Sequence, residues 1–366
     1  RSAGSFSFRL GMEIENLGKN SPSKGIGKMK GFKIRHKTSL LCALLLAAIM
    51  IAGCNSAPQS KSEPSGISSG VTVDNANNEQ VTIESEPQRI VVLPIWEAEL
   101  VIDLIGTDRI VGLSPFIDSS ANSACADKAA NVKERVSSNQ AEKILALQPD
   151  LVLLDTFNDF DGSLTATLKE AGVTVLTLES PMSFEQISDR IDVISKAVFA
   201  PEKGQQLIEE MQQRLDSVKQ RVKNVEQRIK VMYYEDYYSE DGTSDGMLCA
   251  YGPGSTFDEI ASAAGAINVC AAQNYSAVNK ETVLNEWKPE LLIVPSIKYD
   301  ENFNAVDDQG KTIISAIKND KILISLPAVK NDRLYALPDK YRGSTSHYMA
   351  YAVEELAKVC YPDLFK

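Results

Sequence analysis

The residues of this chain with the greatest chemical reach are aromatic, and several stand directly after apolar runs: Trp96 with Glu97 after Leu93, Phe116 after Leu113, Phe157 after Leu154. Further along come Tyr237 and Tyr238, Tyr251, and Tyr341 beside Arg342. Aromatic faces hold large planar or chelated ligands, and a guanidinium can meet a carboxylate or phosphate. Taken singly, each residue is also compatible with ordinary loop packing, and the Gly252-Pro253-Gly254 turn beside Tyr251 could equally serve only to start a helix. Signatures of turnover are missing. There is no Gly-x-Ser-x-Gly elbow and no Walker loop, and Gly252-x-Gly254 lacks the third glycine of a dinucleotide fingerprint. The six cysteines, at 42, 54, 125, 249, 270 and 360, form no Cys-x-x-Cys pair. His347 is the only histidine beyond residue 53, which excludes histidine-rich metal sites. The chemistry is that of binding.

The elements that must position these residues alternate between strand and helix. After a hairpin at 71–83, apolar runs at 89–93, 109–113, 151–154 and 173–176 read as buried strands. Helical stretches at 97–105, 141–147 and 164–171 separate them, ended by Gly106, Pro149 and Gly172. Strands without polar alternation, spaced by helices, predict a parallel sheet covered on both faces. A long helix follows. Pro201 suits its first turn, and Leu207, Ile208, Met211, Leu215, Val218, Val222 and Val225 form one apolar stripe. With no Gly or Pro between Gln205 and Val225, it predicts a stiff strut of ~38 Å rather than a hinge. The pattern then restarts, with strands at 229–234, 291–294 and 333–337 and helices at 255–264, 312–317 and 346–359.

The first residues fix the compartment. Lys28, Lys30, Lys33, Arg35 and Lys37 precede an apolar run, Leu40 to Ala52, that is too short to span a bilayer core. The closing Ile51-Ala52-Gly53-Cys54 resembles a bacterial lipobox, which makes Cys54 the expected lipidated residue; an uncleaved anchor is the alternative. Met29 is the expected natural start, with residues 1–28 read as a translation artefact. The Ser/Pro/Gly-rich stretch after Cys54 reads as a flexible tether. The expected organisation is 1–53 upstream residues and signal peptide, 54–70 tether, 71–200 first α/β lobe, 201–226 connecting helix and 227–366 second lobe. Residues 1–53 hold nine of the chain's 38 Lys/Arg and two of its 49 Asp/Glu, which leaves the remainder at −18. Such a body repels polyanions, so nucleic acid is not an expected partner, although acidity also keeps an exported protein soluble.

Two segments match across the lobes: Glu142-Lys-Ile-Leu through Pro149-Asp-Leu-Val-Leu, and Glu281-Thr-Val-Leu through Pro289-Glu-Leu-Leu-Ile. Each places a glutamate near a helix start, where the dipole favours a carboxylate, so simple capping accounts for both. Arg89-Ile-Val-Val-Leu, Ala146-Leu-Gln-Pro-Asp-Leu-Val-Leu, Tyr251-Gly-Pro-Gly-Ser-Thr-Phe-Asp-Glu-Ile, Gly265-Ala-Ile-Asn-Val and the ending from Ser344-Thr-Ser-His-Tyr to Glu-Glu-Leu-Ala together resemble a known family. These are the substrate-binding lipoproteins of ABC importers for ferric siderophores, haem and cobalamin. The resemblance covers about residues 71–366.

By that resemblance the fold is two α/β lobes with central parallel sheets, joined by one long rigid helix, with the ligand cleft between them. Ligands of such folds sit outside the carboxyl ends of the strands. The aromatic residues above, with Glu97 and Arg342, are therefore the expected ligand contacts. The resemblance further implies that Glu142 and Glu281 dock onto arginines of an ABC permease dimer served by an ATPase. It also implies a disulfide between Cys270 and Cys360; Cys125 and Cys249 could be bridged or remain two thiols. His347 reads as a helix-start or surface residue rather than a haem ligand. No resident cofactor is expected: the cargo is itself a metal chelate, a ferric siderophore or cobalamin, carried by a lipid-anchored monomer on the outer face of the cell membrane. One tryptophan and one arginine suit an electroneutral cobalamin better than a strongly anionic ferric tris-catecholate, while hydroxamates fit equally. A sensory or adhesion lipoprotein is the alternative.

Overall fold

The computed structural model describes residues 70–238, 244–299 and 305–366; the leader, Cys54 and the tether lie outside the described residues. Strands β1 (Val71–Asp74) and β2 (Gln80–Ile83) form the expected antiparallel hairpin. The first lobe continues as β3 (Ile90–Val92), α1 (Ile95–Ile105), β4 (Ile110–Leu113), α2 (Ala126–Ala129), α3 (Ala141–Ala146), β5 (Leu151–Asp155), α4 (Ser163–Glu170), β6 (Thr174–Leu178) and α5 (Phe184–Ala197). Its sheet runs β4-β3-β5-β6, parallel throughout. The unbroken apolar runs have a physical counterpart. Ile90, Val92, Leu151, Leu153 and Leu176 enter one core cluster, while Val91, Leu93, Val152, Leu154 and Val175 enter another on the opposite face. A strand covered on both faces has no polar side to show.

The strut is α6, Pro201–Val222, 22 residues and ~33 Å long, three residues shorter than the stripe suggested. It packs against α5 across Gly204, where an added Cβ would run into the Ser195 hydroxyl.

The second lobe comprises β7 (Lys230–Tyr238), β8 (Ser244–Tyr251), α7 (Thr256–Ala263), β9 (Ile267–Asn268), β10 (Tyr275–Val278), α8 (Lys280–Thr282, continuing as a π-turn Val283–Trp287), β11 (Leu291–Pro295), β12 (Ile297–Tyr299), β13 (Ala305–Asp307), α9 (Lys311–Asn319), α10 (Pro327–Lys330), β14 (Leu334–Leu337), α11 (Asp339–Arg342) and α12 (Met349–Cys360). Its sheet runs β10-β8-β7-β11-β14, with β9 also on β7. The expectation of a parallel sheet holds for β9, β7, β11 and β14; β8 runs the other way, so its pairings with β7 and β10 are antiparallel. The reason is loop length. Five residues, 239–243, separate β7 from β8, whereas a parallel crossover needs a dozen or more.

The lobes share one core. The cluster on one face of the first sheet continues through Met211 and Val218 of α6 and Val353, Leu356 and Ala357 of α12 to Val231, Tyr233, Leu291 and Ile293 of the second sheet. A polar latch stands beside it. Glu99 Oε2 accepts from the Ser346 hydroxyl at 2.6 Å, and Oε1 accepts from Ser123 Oγ at 2.7 Å and Ala124 N–H at 3.0 Å. One turn along α1, Asp103 Oδ2 accepts from the Tyr348 hydroxyl at 2.7 Å and lies 3.0 Å from His347 Nε2. His347, expected as a helix-start or surface residue, stands just before α12 but is buried between the lobes. Further along α12, Arg214 of the strut pairs with Glu354 and lies 3.7 Å over the Tyr351 ring.

The two latch carboxylates respond oppositely to pH. Burial raises the Glu99 carboxyl to about 7, against the pull of its hydroxyl and amide donors. Asp103 is also raised by burial, but hydrogen bonds from His347, Lys128 and Tyr348 outweigh that and hold it at about 2. Asp103 therefore adds stability above the ordinary aspartate range that is lost as pH falls toward 2. Glu99 does the reverse: its cost begins as the unfolded chain ionises near 4.5 and is complete above about 7, on the order of 3 kcal/mol. Glu99→Gln should flatten the fall in melting temperature between pH 5 and 8; a slope equal to that of the parent protein would show that this carboxyl is not its source.

Candidate ligand-binding site

The candidate residues cluster at and just beyond the carboxyl ends of the parallel strands. In the first lobe β5 ends in Asp155, which has four donors: the Trp96 indole N–H at 3.2 Å and Ser180 hydroxyl at 2.9 Å on Oδ2, and the Phe157 and Asn158 amides on Oδ1. Trp96, expected as a ligand contact, is 4% exposed and serves as one wall of this cluster. Glu97 is wholly buried, and neither carboxyl oxygen has a hydrogen-bond partner. Burial first, and the nearby Asp155 charge second, push its pKa well up. Both residues therefore lie beneath the site surface rather than on it. Phe116 and Phe157, just beyond β4 and β5, are 60% and 57% exposed. Phe160, 74% exposed, and Met182, 43% exposed, join them at the ends of β5 and β6. The sequence reading missed these two because they stand several residues beyond the strands.

In the second lobe Tyr251, Tyr233 and Arg342 come together. Tyr251 stands edge-on to Tyr233 at 5.1 Å, and its hydroxyl donates to Glu235 Oε2 at 3.0 Å. The Arg342 guanidinium lies 4.7 Å over Tyr233 and 5.4 Å over Tyr251 and pairs with Asp339. Asp339, 4% exposed, also accepts the Ser296 amide at 2.7 Å. Tyr341 does not join this group: it stacks on Tyr351 of α12 at 5.3 Å. Tyr237 and Tyr238 fall on the last two positions of β7, and their side chains lie outside the described residues. Tyr233 and Glu235 could have been found by noting that β7 ends where β3 and β5 do, at the carboxyl edge.

Tyr251 is aimed by a close backbone approach. Gly252 donates to the Asn274 carbonyl at 2.9 Å, the Tyr251 carbonyl accepts from the Asn268 side chain at 2.8 Å, and a Cβ on Gly252 would run into the Ala272 carbonyl. The turn thus does more than start α7, whose cap is the Ser255 hydroxyl.

Glu142 and Glu281 are both exposed, each in the first turn of its helix, and neither makes an ion pair among the described residues. The disulfide expected between Cys270 and Cys360 is not formed. Both thiols are free and buried in different core clusters. Cys360 packs with Val231 and Leu291, whereas Cys270 packs with Met232 and Leu292, their neighbours along β7 and β11; alternate residues point to opposite faces, so the sheet stands between the sulfurs. Cys125 and Cys249 are likewise free; the Cys125 sulfur lies 3.6 Å from the Tyr348 hydroxyl, and burial raises its pKa to about 12. Among the described residues no three His, Cys, Asp or Glu side chains stand together as a metal site. A groove of about 570 Å³ runs between α6 and α12, lined by Met211, Arg214, Val218, Tyr351 and Glu354, but it opens on the flank of the strut and its Arg214–Glu354 pair is already satisfied.

Gly252→Ala should displace the 270–274 segment, lowering the melting temperature by several degrees at about 2 kcal/mol of strain and weakening ligand binding with it. Paired thermal melts and ligand titrations would detect this, and a melt unchanged within a degree would contradict the close approach.

A family model described as periplasmic binding protein matches residues 90–341. An uncharacterized ABC transporter substrate-binding lipoprotein, YvrC, of Bacillus subtilis is 27% identical over 337 residues, 91% of this chain and all of the relative. A cobalamin-binding protein of Halobacterium salinarum is 26% identical over 167 residues, 44% of each chain. The periplasmic heme-binding protein RhuT from Roseiflexus shares the fold, with a TM-score of 0.61 at 20% identity over 76% of this chain and 99% of that one. Two α/β lobes on a single helical strut and this match over most of the chain make the protein a member of the periplasmic binding protein family.

Proposed function

We propose that the protein is the extracytoplasmic substrate-binding component of an ABC importer and that its cargo is a metal chelate, a ferric siderophore or cobalamin. The observation that carries this reading is aromatic side chains at the strand ends of both lobes: Phe116, Phe157 and Phe160 are exposed just beyond β4 and β5, and in the other lobe Tyr251 stands with Arg342 over its ring. Such a surface offers a large, partly apolar ligand both stacking and a polar edge. The relatives support it through what their names state, a substrate-binding lipoprotein and a cobalamin-binding protein. Lipidation at Cys54 would hold the body at the outer face of the membrane as a monomer, beside the permease. Glu142 and Glu281, exposed on separate lobes, suit docking onto paired basic patches of a permease dimer, with an ATPase behind it.

The protein should bind one class of chelate saturably when titrated with cyanocobalamin, ferric hydroxamates, ferric catecholates and haemin under tryptophan fluorescence. Trp96, buried against Asp155 at the cleft wall, is the expected reporter, so Trp96→Phe should remove most of the quench. Folded protein silent across the panel would favour the sensory or adhesion reading. Reversing both docking charges, Glu142→Lys with Glu281→Lys, should leave chelate affinity within about twofold while cutting uptake in cells by about tenfold or more. Unimpaired uptake by the double variant would remove the docking role.

A further inference from the structure

Glu281 sits on an element too short to hold its own shape, and a buried ion pair beside it supplies the anchor; this step rests on the permease-docking reading above. Glu281 is exposed in α8, which has three α-helical residues before it widens into the π-turn Val283–Trp287 and ends at Lys288 in the left-handed region. So short a helix has no stability of its own, and tertiary contacts set its orientation. The Asn279 side chain caps it by accepting the Thr282 amide at 2.7 Å, and Val283 is fully buried. A stronger tie comes from Lys280, the residue before Glu281. Its ammonium lies 2.8 Å from Asp320 Oδ2, just past α9, and 3.2 Å from Asp236 Oδ2 on β7.

These charges are largely out of water: the Asp236 side chain is fully buried and that of Lys280 is 17% exposed. Breaking an ion pair at such depth is costly, because the charge left behind stays buried without its partner. Burial opposes ionisation of Asp320, but hydrogen bonds from Lys280 and from the Leu323 and Ile322 amides outweigh it and hold that carboxyl below the usual aspartate range. The same strand carries candidate ligand residues. Tyr233 and Glu235 belong to the face of β7 that meets Tyr251, whereas Tyr234 and Asp236, joined at 3.3 Å, belong to the other. The turn bearing Glu281 is therefore fastened to the strand end that shapes the candidate site of this lobe. The first lobe differs. There α3 is a six-residue α-helix, and Lys143, beside Glu142, is exposed and donates to the Arg135 carbonyl at 2.6 Å.

We propose that Lys280 is the positioning residue of the second docking site: anchored to Asp236 and Asp320, it fixes the turn that presents Glu281 to the permease. Lys280→Met alone strands a buried aspartate, so it is combined with Asp236→Asn in a charge-matched double variant. Hydrogen exchange in the full-length double variant should be about tenfold faster at the Thr282 and Val283 amides, with both sheets unchanged. Cells carrying it should take up radiolabelled cyanocobalamin or ferrioxamine B, whichever the parent transports, about fivefold or more slowly, while affinity for that probe stays within about twofold. Adding Glu281→Lys should then lower uptake little further, whereas adding Glu142→Lys should lower it again, because only the first acts through the same contact. Unchanged exchange at Thr282 and Val283, or unchanged uptake by the double variant where Glu281→Lys alone is impaired, would overturn the role of Lys280 and leave the docking glutamate standing. Faster exchange throughout the second lobe with a parallel loss of affinity would also overturn it, since Lys280 would then be a general stabilising residue. Normal uptake by Glu281→Lys alone would remove the docking reading and this role with it. Transport of neither probe by the parent would overturn the chelate reading and the docking role built on it.

Discussion

Glu99 and Asp103 lie one turn apart on a single helix of the first lobe, and both reach into the second lobe at the start of α12. Every other feature of the cleft depends on this contact and on the apolar core that runs beside it through α6 and α12. Because the core is shared, the two sheets cannot swing apart without exposing Met211, Val218 and the inner face of α12 to water. Because the latch is polar and buried, its groups must stay paired or lose their hydrogen bonds in a low-dielectric place. Together these terms oppose separation of the two lobes.

The cleft itself is assembled in two tiers. The lower tier is buried and polar: Asp155 gathers the Trp96 indole, Ser180 and two amides, while Asp339 gathers Arg342 and the Ser296 amide. Each acid sits at or just after the carboxyl end of a parallel strand, β5 or β14, where loops from neighbouring strands converge. The upper tier is apolar on one lobe and aromatic with hydroxyl groups on the other. Preorganisation of the lower tier limits what must be ordered when a ligand arrives, and that lowers the entropic cost of capture.

Charge at long range and charge in the cleft play separate parts. Residues 54–366 are at −18, which by itself turns away polyanions. Glu142 and Glu281 add a local version of the same sign, exposed on opposite lobes. At Arg342 the local feature is pairing. A guanidinium that already shares a buried carboxylate and two tyrosine faces offers a shaped polar edge with little net charge.

Much of the fold was legible in the chain. Unbroken apolar strands separated by helices identified the two α/β lobes, because a strand buried on both faces must be apolar throughout. The 3–4 stripe after Pro201, free of glycine beyond Gln205, identified the strut, since local periodicity alone decides a long amphipathic helix. That Phe116 and Phe157 follow strand ends was legible for the same reason: position after a strand is a local property. Tertiary structure decided what depends on several chain-distant segments at once. It turned Trp96 and Glu97 inward, because Asp155, 59 residues after Trp96, completes the pocket that receives the indole. It took His347 from an expected helix start or surface to a contact with Asp103, 244 residues away. It set Cys270 and Cys360 on opposite faces of one sheet, which no count of intervening residues discloses. It also paired Arg342 with Asp339, three residues earlier on one short helix just after β14.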